Sequence, residues 1–166
     1  MPATRQDLFA RLDQLGIATQ TLEHAAVFTV AESSKLVRAL PGGNTKNLFV
    51  KDRKGRLFLV VALEHAHVDL KALSKRIGAD RLSFGKPELL LEVLGVPAGS
   101  VTPFALLNDS ARRVTVILDT DMMAHKRLNC HPLENTATTN IAREDLVAFL
   151  RACGHEPQIM AVTAAS

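Results

Sequence analysis

The chain has 166 residues, of which 47% are hydrophobic and 22% charged, with a formal net charge of +3. That length carries one domain with a sizeable core and leaves no comfortable room for two, and the apolar residues fall in short segments, none approaching the run of roughly 18 that a membrane helix needs. Seven Phe are the only aromatics, which argues against a platform of stacked rings for several unpaired bases, so an RNA partner would be held through phosphate and shape.

The opening residues, MPATRQDLFARLDQ, lack the apolar core of a secretory signal and enter a charged helical pattern, so a soluble cytoplasmic protein is expected. Thr4 with Asp7 resembles a capping box, and Leu8, Leu12 and Leu15 follow at helical spacing until Gly16 stops the pattern. A short extended stretch, Gln20 to His24, leads to Thr29 and Glu32, a second capping box that predicts a helix ending at Pro41-Gly42-Gly43-Asn44. Lys46 to Lys51 and the apolar run Leu57 to Leu63 flank the turn Asp52 to Gly55, which predicts a β-hairpin whose second arm is a central strand.

Further on, Asp69 can cap a helix carrying Leu70, Leu73 and Ile77, and Pro87 suits the first turn of another that Gly95 closes. Arg81 to Phe84, between them, reads as a strand. After the loop Val96 to Pro103, two β-rich arms, Phe104 to Leu107 and Val114 to Asp119, predict a second antiparallel hairpin. Met122 to Leu128 is ambiguous, Thr136 to Ile141 alternates like a strand, Asp145 to Cys153 is helical, and Gln158 to Val162 fits an edge strand. Hairpin pairs with helices grouped between them give the class α+β, a single domain over residues 1–166 with a twisted, mixed, mostly antiparallel sheet surrounded by helices.

Two chemical signals are weak. His65 and His67 share a strand face but have no obvious third ligand nearby, so no metal and no cofactor are expected. Cys130 and His131 are adjacent, and on an extended chain adjacent side chains point to opposite faces, which disfavours a cysteine nucleophile. Cys130 and Cys153 have no CxxC spacing and read as free thiols packed as small hydrophobes.

Four segments stand in a particular order: Glu23-His24-Ala25-Ala26-Val27-Phe28-Thr29, Thr45-Lys46-Asn47-Leu48-Phe49, Gly99-Ser100-Val101-Thr102-Pro103, and Asn129-Cys130-His131-Pro132-Leu133-Glu134-Asn135-Thr136-Ala137-Thr138. Together, and across most of the chain, they resemble the YbaK/ProX family of aminoacyl-tRNA editing domains, which is related to the editing domain inserted in bacterial prolyl-tRNA synthetases. The resemblance is strongest to the ProX branch, which removes alanine wrongly attached to proline tRNA. It implies an ester hydrolase that uses neither metal nor covalent intermediate. The partner it implies is the acceptor end of tRNA(Pro) carrying a small amino acid, with prolyl-tRNA synthetase as a protein partner; neither membrane nor DNA is expected. One departure is that His24 is followed by Ala25 where many relatives carry His-Pro, so His24 reads as a structural or pocket-edge residue.

The resemblance also implies roles. Lys46, alone a solvated strand-end lysine, becomes the catalytically important lysine, holding the terminal adenosine phosphate or a carbonyl oxygen. Gly99, with Ser100 and Pro103, marks a loop whose glycine permits unusual backbone angles and close approach, so that backbone N–H groups can meet a developing oxyanion. His131 acts as a general base or positions the substrate, and both readings stand. Asn47 orients the substrate, Phe28 and Val30 wall the pocket, and Thr136 adds a polar edge. The vicinal ribose hydroxyl would help to activate the attacking water. The alternatives are removal of cysteine or serine, or a relative that binds tRNA or synthetase without hydrolysis.

Overall fold

The apolar run Leu57–Leu63 forms β3 and lies at the centre of the molecule. In the computed structural model, which describes residues 2–25 and 40–163, Leu57 to Ala62 are all buried, because the strand is covered on both faces. One face, with Leu57, Leu59 and Val61, joins the larger core of Leu94, Phe104, Leu128 and Phe149; the other, with Phe58, Val60 and Ala62, joins Val50, Leu73 and Ile117. A strand buried on both sides reads as an unbroken apolar segment rather than an alternating one.

On one side β3 pairs antiparallel with β2, Gly43–Lys51, over the register Thr45↔Leu63 to Lys51↔Leu57. Asp52 closes the turn by accepting from the backbone N–H groups of Lys54 (3.0 Å) and Arg56 (2.8 Å). The remaining strands are β1 (Gln20–Glu23), β4 (Ser83–Phe84), β5 (Val114–Asp119), β6 (Arg127–Cys130), β7 (Ala137–Ala142) and β8 (Gln158–Met160). Among the described residues they make an eight-stranded sheet in the order β1-β7-β6-β2-β3-β5-β8, with β4 beside β2. The sheet is mixed: β1–β7, β7–β6, β2–β3 and β2–β4 are antiparallel, whereas β6–β2, β3–β5 and β5–β8 are parallel.

The helices begin and end where local chemistry directs. Helix α1, Arg5–Gln14, starts on a complete capping box, Thr4 Oγ1 accepting from Asp7 N–H (3.2 Å) and Asp7 Oδ2 from Thr4 N–H (2.8 Å). Asp69 caps α2, Leu70–Ile77, and Pro87 opens α3, Pro87–Leu94. Helix α4, Arg143–Ala152, buries Leu146, Phe149 and Leu150, with Phe149 edge-on to Phe104 at 5.4 Å. The second capping box, Thr29 with Glu32, lies outside the described residues.

The expected second hairpin does not form. Pro103–Asn108 is a 3₁₀ helix, because Pro103 opens it and the Thr102 hydroxyl accepts from Phe104 N–H (3.3 Å). Phe104, Ala105 and Leu106 are buried in succession, which an alternating strand arm would not give. Strand β5 instead takes parallel neighbours on both sides, β3 and the edge strand β8.

Candidate active site

Among the described residues, the edge of β2 away from β3 has strand partners only at its two ends. Gly43 and Asn44 pair with Leu128 and Asn129 of β6, while Val50 and Lys51 pair with Phe84 and Ser83 of β4. The first contact depends on glycine: a Cβ on Gly42, whose φ is +104°, would lie 2.2 Å from the Arg127 carbonyl oxygen, and one on Gly43 would lie 2.7 Å from Leu63 Cδ2. A small cavity, open to solvent at its mouth, lies beside the stretch of β2 in between. Among the described residues its lining is Asn44, Thr45, Asn47, Asn129, Cys130, His131 and Thr138, with no formally charged side chain except a protonated imidazole.

A directed chain of amides stands behind this wall. Arg127 Nε donates to Asn140 Oδ1, which commits Asn140 Nδ2 to donate, and it does so to the Pro41 carbonyl (2.6 Å) and to Asn129 Oδ1 (2.7 Å). Asn129 Nδ2 then donates to Asn44 Oδ1 (2.9 Å), and Asn44 Nδ2 to Glu64 Oε1 (3.4 Å). The chain runs from a guanidinium to a carboxylate, so every amide has one orientation. It joins β7, β6, β2 and the end of β3, and it holds Asn44 and Asn129 against the cavity.

His131 Nδ1 is 3.1 Å from the Ala137 carbonyl, to which it can only donate. Burial holds the imidazole below its ordinary value of 6.5; the Ala137 carbonyl opposes this and nearby His24 reinforces it. His24 Nδ1 donates to the Ala25 carbonyl (2.7 Å) and its Nε2 meets Thr138 Oγ1 (2.8 Å), which places His24 at the cavity rim. Burial pushes the Cys130 thiol up to about 11, against a lowering by the Thr45 hydroxyl, so no thiolate nucleophile is presented at neutral pH. Asn47 Oδ1 is buried without a hydrogen-bond partner, a state that costs about 1–3 kcal/mol in a protein interior.

The residues singled out in the sequence fall in three places. Asn47 and His131 come together in the cavity. Lys46, next to Asn47, is outside the cavity lining, and its ammonium donates to the Ala66 carbonyl. Gly99 lies in the 3₁₀ turn Ala98–Ser100, exposed, with Ser100 and Pro103 buried beneath. Its φ is not left-handed, so it is close approach that favours glycine there: a Cβ would be 3.3 Å from Asn135 Nδ2 in the loop after His131.

Thr136 is exposed, and its hydroxyl accepts from Arg5 (3.4 Å); the threonine at the cavity is Thr138, two residues along the same strand direction. Phe28 and Val30 lie outside the described residues. Asn44 was not singled out from sequence, while Thr45, Asn129 and Thr138 stood in the segments that carry the resemblance without being given a role. Elsewhere, Lys71, Lys75 and Arg81 line a groove over Leu70 and Leu82. Among the described residues no group of three His, Cys, Asp or Glu side chains is placed to hold a metal ion, and no helix is long and apolar enough to cross a membrane.

The chain is similar to known proteins over nearly all its length. The family model described as "aminoacyl-tRNA editing domain" matches residues 24–149. A Danio rerio protein named prolyl-tRNA synthetase associated domain-containing protein 1 is 43% identical over 94% of this chain and 86% of its own. The prolyl-tRNA editing protein ProX of Acetoanaerobium sticklandii is 36% identical over 91% of this chain and 93% of its own. Among solved structures, a candidate trans-editing enzyme for prolyl tRNA synthetase superposes with a TM-score of 0.77 at 20% identity, covering 99% of each chain, which establishes the shared fold.

Proposed function

The chain belongs to the aminoacyl-tRNA editing domain family, and from that premise we propose that it hydrolyses Ala-tRNA(Pro) in trans. The observation that carries this reading is the cavity beside β2, small and lined by short uncharged side chains, with an imidazole held towards its neutral form and no thiolate. Such a wall suits attack by a positioned water on an ester that brings part of its own catalysis, the vicinal ribose hydroxyl. His131 positions the reacting end through Nε2, its Nδ1 being held by the Ala137 carbonyl. The Gly99 loop supplies backbone donors to the tetrahedral oxyanion. Its Gly99 N–H has no partner among the described residues, whereas Ser100 N–H is committed to the Pro97 carbonyl.

Lys46 leaves the Ala66 carbonyl to meet the terminal phosphate, and Lys71, Lys75 and Arg81 grip the acceptor stem through its backbone. Arg76, a further cation on α2, is already engaged with the Ala161 carbonyl. Alanine is selected by size, because excluding a larger side chain discriminates more strongly than the roughly 1–3 kcal/mol that one methyl contributes to binding.

The test is the deacylation rate of Ala-, Ser-, Cys- and Pro-tRNA(Pro) by the wild type and by Lys46→Ala. Rapid loss of alanine, abolished in the variant, is the expected result. Preference for cysteine or serine would reassign the substrate, and no hydrolysis of any of them would leave a tRNA- or synthetase-binding domain.

A further inference from the structure

Two acceptor atoms on residues that line the cavity have no partner among the described residues. Asn47 Oδ1 is buried and unpartnered. His131 donates through Nδ1 to the Ala137 carbonyl, so in the neutral ring Nε2 is an acceptor, and no described residue occupies it. The other polar atoms of the lining are largely committed. Asn44 and Asn129 are joined in the amide chain, Thr45 Oγ1 donates to the Asn129 carbonyl (2.7 Å), and the Thr138 hydroxyl is bonded to His24.

A cavity with two open acceptors and no carboxylate calls for a small group rich in donors. A hydroxyl brings one donor and fills one acceptor. A primary ammonium brings three donors and has no acceptor of its own to satisfy, and it suits an uncharged wall that does not bind it too tightly for release.

We propose that Asn47 Oδ1 and His131 Nε2 together receive the α-ammonium group of the aminoacyl ester, so that the site reads the amine as well as the size of the side chain. This rests on the deacylase reading above. It extends that reading because size exclusion alone cannot reject an ester of equal size that lacks the amine. Sites built to hydrogen-bond a polar group discriminate strongly against analogues without it, since their own buried atoms are then left unpaired.

The experiment compares Ala-tRNA(Pro) with lactyl-tRNA(Pro), in which a hydroxyl replaces the amine at nearly the same size, each rate divided by that of spontaneous hydrolysis. The wild type should show at least a ten-fold lower kcat/KM for the lactyl ester. Asn47→Ala should lower kcat/KM for the alanyl ester ten-fold or more, chiefly through KM, and lower the lactyl ester by a smaller factor, because a hydroxyl supplies one donor where the ammonium supplies three, while Asn47→Asp retains alanyl cleavage. Equal wild-type values for the two esters, or an Asn47→Ala loss of the same size in both, would overturn the proposal. The wild-type comparison decides alone if the variant does not fold. Failure to cleave either ester would overturn the deacylase reading and this inference with it.

Discussion

His131 Nδ1 and the carbonyl oxygen of Ala137 stand 3.1 Å apart, and that single bond decides which nitrogen of the imidazole meets the cavity. Protonation would turn Nε2 from acceptor to donor. Because burial lowers the folded value below 6.5, kcat/KM should be insensitive to this group above pH 6.5 and fall only as pH drops through the lowered value. Stability follows the same sign: the unfolded chain takes up the proton near 6.5 while the folded one resists it, so stability is full above 6.5 and declines from there to the folded value. An NMR titration of the His131 ring with urea unfolding at stepped pH checks both. His155, also lowered by burial, contributes in the same direction, so the comparison needs His131→Asn.

Asn140→Leu removes an acceptor for Arg127 and donors to Pro41 and Asn129 in a side chain only 1% exposed. Leaving those partners unpaired should cost about 2–4 kcal/mol, measured by urea denaturation. Arg113→Ala, which breaks the exposed 3.4 Å pair with Glu92, should cost less than about 1 kcal/mol.

Gly99→Ala needs no left-handed backbone and asks Asn135 to yield by only a few tenths of an ångström. Its effect on stability should stay within about 0.5 kcal/mol. If the loop donates to the oxyanion, Gly99→Val should lower kcat ten-fold or more with little change in KM; an unchanged kcat removes that role.

With its thiol pushed up to about 11, Cys130 should resist iodoacetamide in the folded protein at pH 7.5. Cys130→Ala should retain turnover within a few-fold. Mass spectrometry of the alkylated protein and the deacylation assay check the two outcomes, and complete loss of activity in a folded Cys130→Ala would restore the thiol as a nucleophile.

What could be read from the sequence was local. The Thr4–Asp7 box, the Asp52–Gly55 turn and the Pro87 start each involve residues within a few positions of one another, and all appear as expected. The parallel partners of β5 come from distant parts of the chain, so no turn signal announces them. The apolar run Phe104–Leu107 resembled a strand arm, although Thr102-Pro103 already carried a helical start. Asn47 and His131 share the cavity, whereas the Lys46 ammonium is drawn to the Ala66 carbonyl, a contact that no local signal in the sequence announces. The amide chain was hidden because Asn44, Asn129 and Asn140 meet only when three strands align.

Gly42 brings the main chain entering β2 against the Arg127 backbone at a distance no Cβ would permit, and a Cβ on Gly43 would displace the end of the Leu63 side chain. The aperture beside β2 is therefore gauged by backbone spacing. Exchanging the residues that line the opening would change its chemistry, whereas adding one methyl group at either glycine would change its calibre. The proposed selection by size would then be set in part at Gly42 and Gly43, which stand outside the cavity lining.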